Sequence, residues 1–265
     1  MEEQPIEIQF TLENVVNVFL DHLKETTTCV THIYYSIQEA DIDINKPMPT
    51  DSFPLAINNE KPSLTLSEQK VDSFEWVIRK AFEDFINGLT KSLKEANKII
   101  KTLILSEKPK YSMTKEKIEN ELSKINTEIE SLHFPKLIEF IENYLGHPLP
   151  FREEIISINQ IRNCLVHRDG IVSVKDVKNN NEIVLRWISL KWYTKINEVS
   201  SEITYDMRKN GITVNNLNYK VIDNKKSFEL GQKISIDINE FNGIAYTCSE
   251  FAHYLYSSMQ KLKNP

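Results

Sequence analysis

The sequence has few glycines, few cysteines and no long apolar segment, and each shortage excludes a class of protein. Its 265 residues include only six glycines, too few for the many tight turns of a β-sandwich or barrel. The three cysteines are odd in number and widely separated, which is typical of reduced thiols and excludes a zinc ribbon. No apolar run approaches the roughly 20 residues that span a bilayer, and the acidic start Met-Glu-Glu-Gln-Pro is unlike a secretory signal. We therefore expect a cytoplasmic protein that binds no membrane.

Sequence signatures of several enzymes and metal sites are also missing. The chain contains no G-x-x-x-x-G-K-[ST], no G-x-G-x-x-G and no G-x-S-x-G, so ATPase, Rossmann dehydrogenase and α/β-hydrolase functions lack support. Its histidines and cysteines form no cluster with zinc spacing. We therefore expect no metal site and no cofactor.

The charge of the chain is acidic and unevenly distributed. The net charge is −6, and residues 1–60 alone carry −9, which leaves +3 for the remainder. Proteins that coat nucleic acids generally have a basic surface, so the acidic net charge does not favour that function. The charge is compatible with an enzyme that binds a short stretch of RNA. As a hypothesis, the acidic first 60 residues repel RNA or shield the site until a partner displaces them.

Helical periodicity dominates the first part of the chain, and β-forming residues dominate a later part. Apolar spacing predicts five helices, from Leu12 to Ala40, from Ser67 to Ser106, after a Thr114 cap, from Leu137 to Gly146 and over 151–167. Pro150 lies near the first turn of the fifth helix and Gly170 lies just past its end.

Beyond Gly170 the residue types favour strands. Ile171–Val177 and Ile183–Trp192 flank three consecutive asparagines, which predicts a hairpin. Further candidate strands lie around Tyr219, Val221, Ile234, Ile236 and Ile238, and Asn239 is expected to cap a last helix. The predicted architecture is a mainly α helical bundle in a single domain, 1–265. It comprises a helical part at 11–170, a small antiparallel β insertion at 171–238 and a C-terminal helix at 239–262.

The segment from Ile158 to His167 combines an arginine, an asparagine and a histidine near a helix end. Asn159, Asn163 and His167 step by four along the side opposite the apolar residues. Arg162 lies five residues before His167, and its long stem can curl toward the imidazole. A guanidinium holds phosphate oxygens and an imidazole moves protons near neutral pH. The set therefore suits a phosphodiester substrate.

The run Arg162-Asn163-Cys164-Leu165-Val166-His167 resembles the R-N-x-x-x-H signature of HEPN domains, a class of helical ribonucleases. The following Arg168-Asp169-Gly170 is similar to the continuation in many bacterial members. The resemblance implies a HEPN-like bundle with the motif on a late helix. It also implies metal-independent RNA cleavage, in which the ribose 2′-OH attacks its own phosphate, and a homodimer that joins two motifs in one cleft.

The resulting functional prediction is an endoribonuclease, set in a toxin–antitoxin or antiphage system, with an antitoxin or regulatory protein as a partner. Arg162 would neutralise the scissile phosphate, His167 would act as general acid or base, and Asn163 would orient the histidine or a phosphate oxygen. Arg168 and Asn159 are the candidate RNA-binding residues.

The alternative is a non-catalytic helical module whose motif maintains a dimer interface or binds a nucleotide. In that case His167 is only a C-terminal helix residue favoured by the helix dipole. Arg162 and Asn163 are then an ordinary solvated face, and Arg168 forms a solvated ion pair with a neighbouring acid such as Asp169.

Overall fold

The computed structural model describes residues 11–39, 65–106, 114–177, 181–196, 199–203 and 217–263. The helices in these ranges are α1 (Asn14–Glu39), α2 (Leu66–Ser106), α3 (Lys115–Ser131), α4 (Phe134–Leu145), α5 (Arg152–His167) and α6 (Ile238–Lys263). The strands are β1 (Glu182–Ile196), β2 (Val199–Glu202) and β3 (Asn218–Glu229). The predicted mainly helical fold, with a small antiparallel sheet before the last helix, is therefore confirmed.

Helices α1 and α2 pack as an antiparallel pair. Lys70 Nζ donates to the Gln38 carbonyl at 2.8 Å, and Lys91 Nζ lies 3.0 Å from His22 Nε2. Gly88 permits the close approach, because a Cβ atom there would lie 3.1 Å from the Cβ of His22. The glycine in the middle of this long helix thus serves packing against α1.

Helices α3 and α4 pack against α2 and follow their sequence signals closely. The Thr114 hydroxyl accepts a hydrogen bond from the Lys117 N–H at 3.4 Å, which confirms the predicted N-cap. The buried Asn97 amide on α2 donates to the Leu137 carbonyl of α4 at 3.0 Å. Gly146, with φ of 75°, ends α4 as predicted.

The sheet has the order β2-β1-β3, and both pairings are antiparallel. The predicted hairpin between Ile171–Val177 and Ile183–Trp192 is wrong, because β1 pairs instead with β3, far along the chain. The Asp176 carboxylate accepts hydrogen bonds from the Ser173 N–H and hydroxyl, at 2.9 and 2.8 Å. These local bonds close a turn where a strand was expected. In the described segment 171–177, Ile171 makes an isolated bridge to Lys233.

Two helix hydroxyls cover the edge of β1 that β2 leaves open, since β2 reaches only to Tyr193. Ser157 of α5 accepts from the Arg186 N–H at 2.9 Å, and Thr247 of α6 accepts from the Ile188 N–H at 2.9 Å. Unpaired strand edges otherwise leave backbone groups without partners. The two hydroxyls satisfy these groups and attach α5 and α6 to the sheet.

The predicted Asn239 cap of the last helix is wrong by two residues. The Asp237 carboxylate accepts from the N–H groups of Asn239 and Glu240, at 2.7 and 2.9 Å. The Glu240 carboxylate in turn accepts from the Asp237 N–H at 2.9 Å, which completes a capping box. The strands expected around Ile234 and Ile236 are also wrong, because these buried residues belong to neither a strand nor a helix.

One hydrophobic cluster runs through the helices and the sheet. Helix α6 packs on α1, α2, α5 and β1, and its Phe241 ring stacks on Phe85 of α2 at 5.3 Å between centroids. Helix α5, which carries the candidate motif, is thus held between α2, α6 and β1. In the described ranges, every helix is too short or too polar to cross a membrane.

Candidate active site

Hydrogen bonds to a carboxylate of α4 fix the start of α5. The Glu142 carboxylate accepts from the Leu149 N–H at 2.9 Å and from Arg152 Nε at 3.0 Å. Phe151 adopts φ of 60° just before the helix, a left-handed conformation in which the chain turns sharply. These contacts set the position of α5 along its axis, and with it the position of the motif.

The end of α5 is fixed by the residues that follow the motif. The N–H groups of Arg168 and Gly170 both donate to the Cys164 carbonyl, at 3.0 and 3.1 Å. Gly170 has φ of 74°, so the glycine past the helix end plays the predicted role. Helix α5 ends at His167, whose side chain is exposed. The surface at this end of α5, around His167, is called the rim below.

The three residues of the predicted catalytic set come together at this rim. Arg162 Nη1 donates to Asn163 Oδ1 at 3.1 Å and lies 3.4 Å from His167 Nε2. Since a guanidinium can only donate, the second contact is a hydrogen bond when Nε2 carries no proton. The structure thus brings the Arg162 cation into contact with both the Asn163 amide and the His167 imidazole.

Helix α2 contributes charged groups that the sequence analysis missed. Arg79 Nη1 forms an ion pair with Asp169 at 2.9 Å, and Lys80 Nζ forms one with Glu83 at 2.9 Å. These residues lie about 80 positions before the motif, and no local signal connects them to it. Only the packing of α2 on α5 reveals the relation.

Cations of α2 and α5 lower the pKa of the Glu83 carboxyl. The hydrogen bond from Lys80 is the largest cause that holds the pKa of the Glu83 carboxyl below its ordinary value, against an opposing effect of burial. The positive charge of Arg162 lowers that pKa further. The Glu83 carboxylate of α2 therefore lies within electrostatic range of the Arg162 guanidinium of α5.

Arg168, a candidate RNA-binding residue, is held by a carboxylate. Its Nε donates to Asp176 Oδ2 at 2.7 Å, and its second nitrogen contacts Asp176 Oδ1. Burial alone would raise the pKa of Asp176, but the bonds from Arg168 and Ser173 outweigh it and hold the pKa below its ordinary value. The Asp176 side chain is only 3% exposed, so this pair acts as a clasp behind the motif.

Asn159 and Cys164 face inward. Asn159, the second candidate RNA-binding residue, is 7% exposed and offers little surface to a ligand. Cys164 lies between Asn163 and His167 in sequence, but its side chain is in the core. Burial, with a smaller effect of the Asp176 charge, raises the pKa of this thiol to about 11, so it is a poor nucleophile near neutral pH.

Comparison of the chain with known protein families, with curated proteins and with solved structures finds no match in any of the three. The likeness to HEPN domains therefore rests on the motif and its placement on a late helix. Across the described ranges, no three His, Cys, Asp or Glu side chains gather as a metal site would require. The chemistry available at the rim is that of Arg162, Asn163 and His167, with Arg79, Lys80 and Glu83 beside them.

Proposed function

We propose that the chain is a metal-independent endoribonuclease that cleaves RNA by attack of a ribose 2′-OH on the adjacent phosphodiester. The observation that carries the proposal is the convergence of Arg162, Asn163 and His167 on the exposed end of α5, with contacts of 3.1 and 3.4 Å. A guanidinium matches the shape and charge of phosphate oxygens. An imidazole exchanges protons near neutral pH.

In the proposed reaction the 2′-oxygen forms a bond to phosphorus and the bond from phosphorus to the 5′-oxygen breaks. The products are a 2′,3′-cyclic phosphate and a free 5′-OH. His167 takes the proton of the 2′-OH or gives a proton to the leaving oxygen. Arg162 stabilises the charge that builds up on the phosphate oxygens. Asn163 holds the guanidinium in place through its 3.1 Å contact.

The proposal includes a homodimer, because the reaction needs a base for the 2′-OH and an acid for the leaving oxygen. One chain presents one imidazole at this rim, and a two-fold axis supplies a second. One cleft would then be lined by Arg162, Asn163 and His167 of both chains. An antitoxin or regulatory protein that covers the rim belongs to the same proposal. Light scattering at micromolar concentration measures the oligomeric state.

RNA cleavage by Arg162 variants tests the proposal. We expect Arg162→Ala to lose cleavage by at least about 100-fold, the usual scale for one lost group that stabilises transition-state charge. Arg162→Lys should restore only part of the rate, because an ammonium lacks the two-pronged geometry. Activity should persist in EDTA.

Arg186→Ala is the matched control, since Arg186 is an exposed arginine on β1, outside the motif, and the substitution keeps the bond of its backbone N–H to Ser157. It should cleave like the wild type. Full activity of Arg162→Ala with unchanged helicity, or activity lost in EDTA and restored by magnesium, would contradict the proposal.

The second candidate function is a non-catalytic interaction or nucleotide-binding module. It is favoured by the pairing of Arg79 and Lys80 with Asp169 and Glu83, which reduces the positive field at the rim. In that case RNA stays intact with every variant, while partner or nucleotide binding depends on Arg162.

A further inference from the structure

Trp76 is an exposed tryptophan on α2, with 58% of its surface accessible. Large aromatic side chains are usually mostly buried, so an exposed one on a folded helix marks a candidate contact surface. Trp76 precedes Arg79 by three residues, Lys80 by four and Glu83 by seven. These spacings put the four side chains on one side of α2, since residues three, four and seven apart share a helix face.

This side of α2 continues directly into the candidate active site. Arg79 contacts Asp169, two residues after His167. The charge of Arg162 lowers the pKa of Glu83. Two helical turns separate Trp76 from Glu83, which is about 10 Å along the helix axis. Arg79 and Lys80 therefore lie between the indole ring and the motif.

The two cations between them can be released for a ligand. The Asp169 side chain that pairs with Arg79 is 84% exposed, and Lys80 is exposed beside Glu83. Ion pairs in contact with water contribute little stability, so a phosphate can replace either carboxylate at small cost. An aromatic ring followed by cations is the arrangement that single-stranded nucleic acids bind, with a base on the ring and phosphates on the cations.

We propose that Trp76, Arg79 and Lys80, here called the α2 face, bind an unpaired nucleotide of the RNA substrate next to the scissile phosphate. The inference rests on the proposed ribonuclease function and specifies its substrate as single-stranded RNA. Trp76 stacks on the base, and Arg79 and Lys80 contact the neighbouring phosphate. Bases of a duplex are already stacked and paired, so they cannot use the ring in this way.

Binding measurements on a protein that cannot cleave separate this inference from the catalytic one. The background variant is His167→Ala, and the probe is a short unstructured RNA labelled for fluorescence anisotropy. Adding Trp76→Ala should weaken binding about 5- to 150-fold, the equivalent of one lost base stack. Trp76→Phe should retain most of the affinity. Lys80→Ala should weaken binding and reduce its salt dependence.

The control is Tyr254→Ala, an exposed aromatic on α6 whose ring contacts Phe151, near the opposite end of α5 from His167. It should bind like the background, and duplex RNA should bind with an affinity that Trp76→Ala leaves unchanged. Equal affinity of the Trp76→Ala and background proteins for single-stranded RNA would overturn the inference. The inference would also be overturned if Trp76→Ala lost the dimer in light scattering but kept its affinity for RNA. The α2 face would then contact a second copy of the chain. Trp76-dependent binding by a wild type that never cleaves would overturn the ribonuclease function and support the α2 face.

Discussion

Replacing Asp176 by asparagine tests whether the clasp behind the motif stabilises the fold. Asp176 Oδ2 accepts from Arg168 Nε, from the Ser173 N–H and from the Ser173 hydroxyl, while Oδ1 faces the second nitrogen of Arg168. Asparagine has nearly the same shape but only one acceptor oxygen. With its oxygen in the Oδ2 position, its NH₂ group points at a guanidinium donor, and the negative charge is gone.

The expected loss follows from the burial of the two partners. Breaking a buried ion pair costs about 3–5 kcal/mol, and losing one hydrogen bond to a charged group costs about 1.5–3 kcal/mol. The Arg168 side chain is 24% exposed, so water relieves part of the cost on its side. We expect the free energy of unfolding to fall by about 2–3 kcal/mol, with a Tm lower by about 4 to 12 °C.

Asp169→Asn is the matched control, because Asp169 also pairs with an arginine but is 84% exposed. Its φ of 50° suits asparagine, which tolerates the left-handed region well. We expect a change below about 1 kcal/mol for this variant. Urea unfolding followed by far-ultraviolet circular dichroism measures both. An Asp176→Asn protein as stable as Asp169→Asn would refute the clasp.

The pH dependence of stability provides an independent check on the same residue. The folded-state pKa of Asp176 lies below its ordinary value of 3.8, so the unfolded chain takes up the proton first as the pH falls. The stabilisation is therefore complete above that ordinary value and is lost as the pH falls through the folded-state pKa. The stability difference between wild type and Asp176→Asn should shrink over this range. A difference that stays constant to the lowest pH at which the protein folds would contradict the assignment.

Two further predictions concern the sheet edge and the thiols. Thr247→Val should lower the free energy of unfolding by about 1–3 kcal/mol, because it leaves the buried Ile188 N–H without the acceptor that Thr247 provides. Thr127→Val, which removes an exposed hydroxyl that donates to the Ser123 carbonyl one turn earlier in the same helix, should change little in the same urea titration. Ellman's reagent should modify the exposed Cys29 rapidly in the native protein, but Cys164 and Cys248 only on unfolding, since both are buried. Rapid native-state labelling of a Cys29→Ser protein would contradict this assignment.

The sequence allowed the helical part of the fold to be predicted because its signals are local. The Thr114 cap, the glycines at 146 and 170 and the apolar periodicity each act within a few residues, and each is confirmed. The cap of α6 was misplaced because Asp237 and Asn239 both have side chains that cap helices. Only the reciprocal bonds between Asp237 and Glu240 identify the helix start.

The sheet could not be predicted correctly, because its pairing is not local. Strand propensity identified β1 and part of β3, but three consecutive asparagines suggested a hairpin that the structure does not contain. The turn held by Asp176 depends on Arg168 and Ser173 together, and residue types alone do not reveal it. The β1 edge is covered by single hydroxyls of distant helices, which leave no pattern in the sequence.

The candidate site was found in part. The motif of α5 is visible in the sequence because its residues are neighbours on one helix. Arg79, Lys80 and Glu83 reach the same rim only through the packing of α2, so their relation to the motif became visible only in the structure. Arg168 was expected at the RNA surface, but its pairing with Asp176 depends on a turn that was not foreseen.

The most direct test of the proposed function is the single-turnover cleavage of one RNA by wild type, His167→Ala and His147→Ala. His147 is an exposed histidine outside the motif, so its variant controls for the loss of an imidazole. Wild type and His147→Ala should yield a 2′,3′-cyclic phosphate, and they should fail where a 2′-deoxyribose replaces the attacking ribose. His167→Ala should be slower by about 100- to 10,000-fold. Cleavage by His167→Ala at the wild-type rate, or cleavage at the deoxyribose position, would contradict the account.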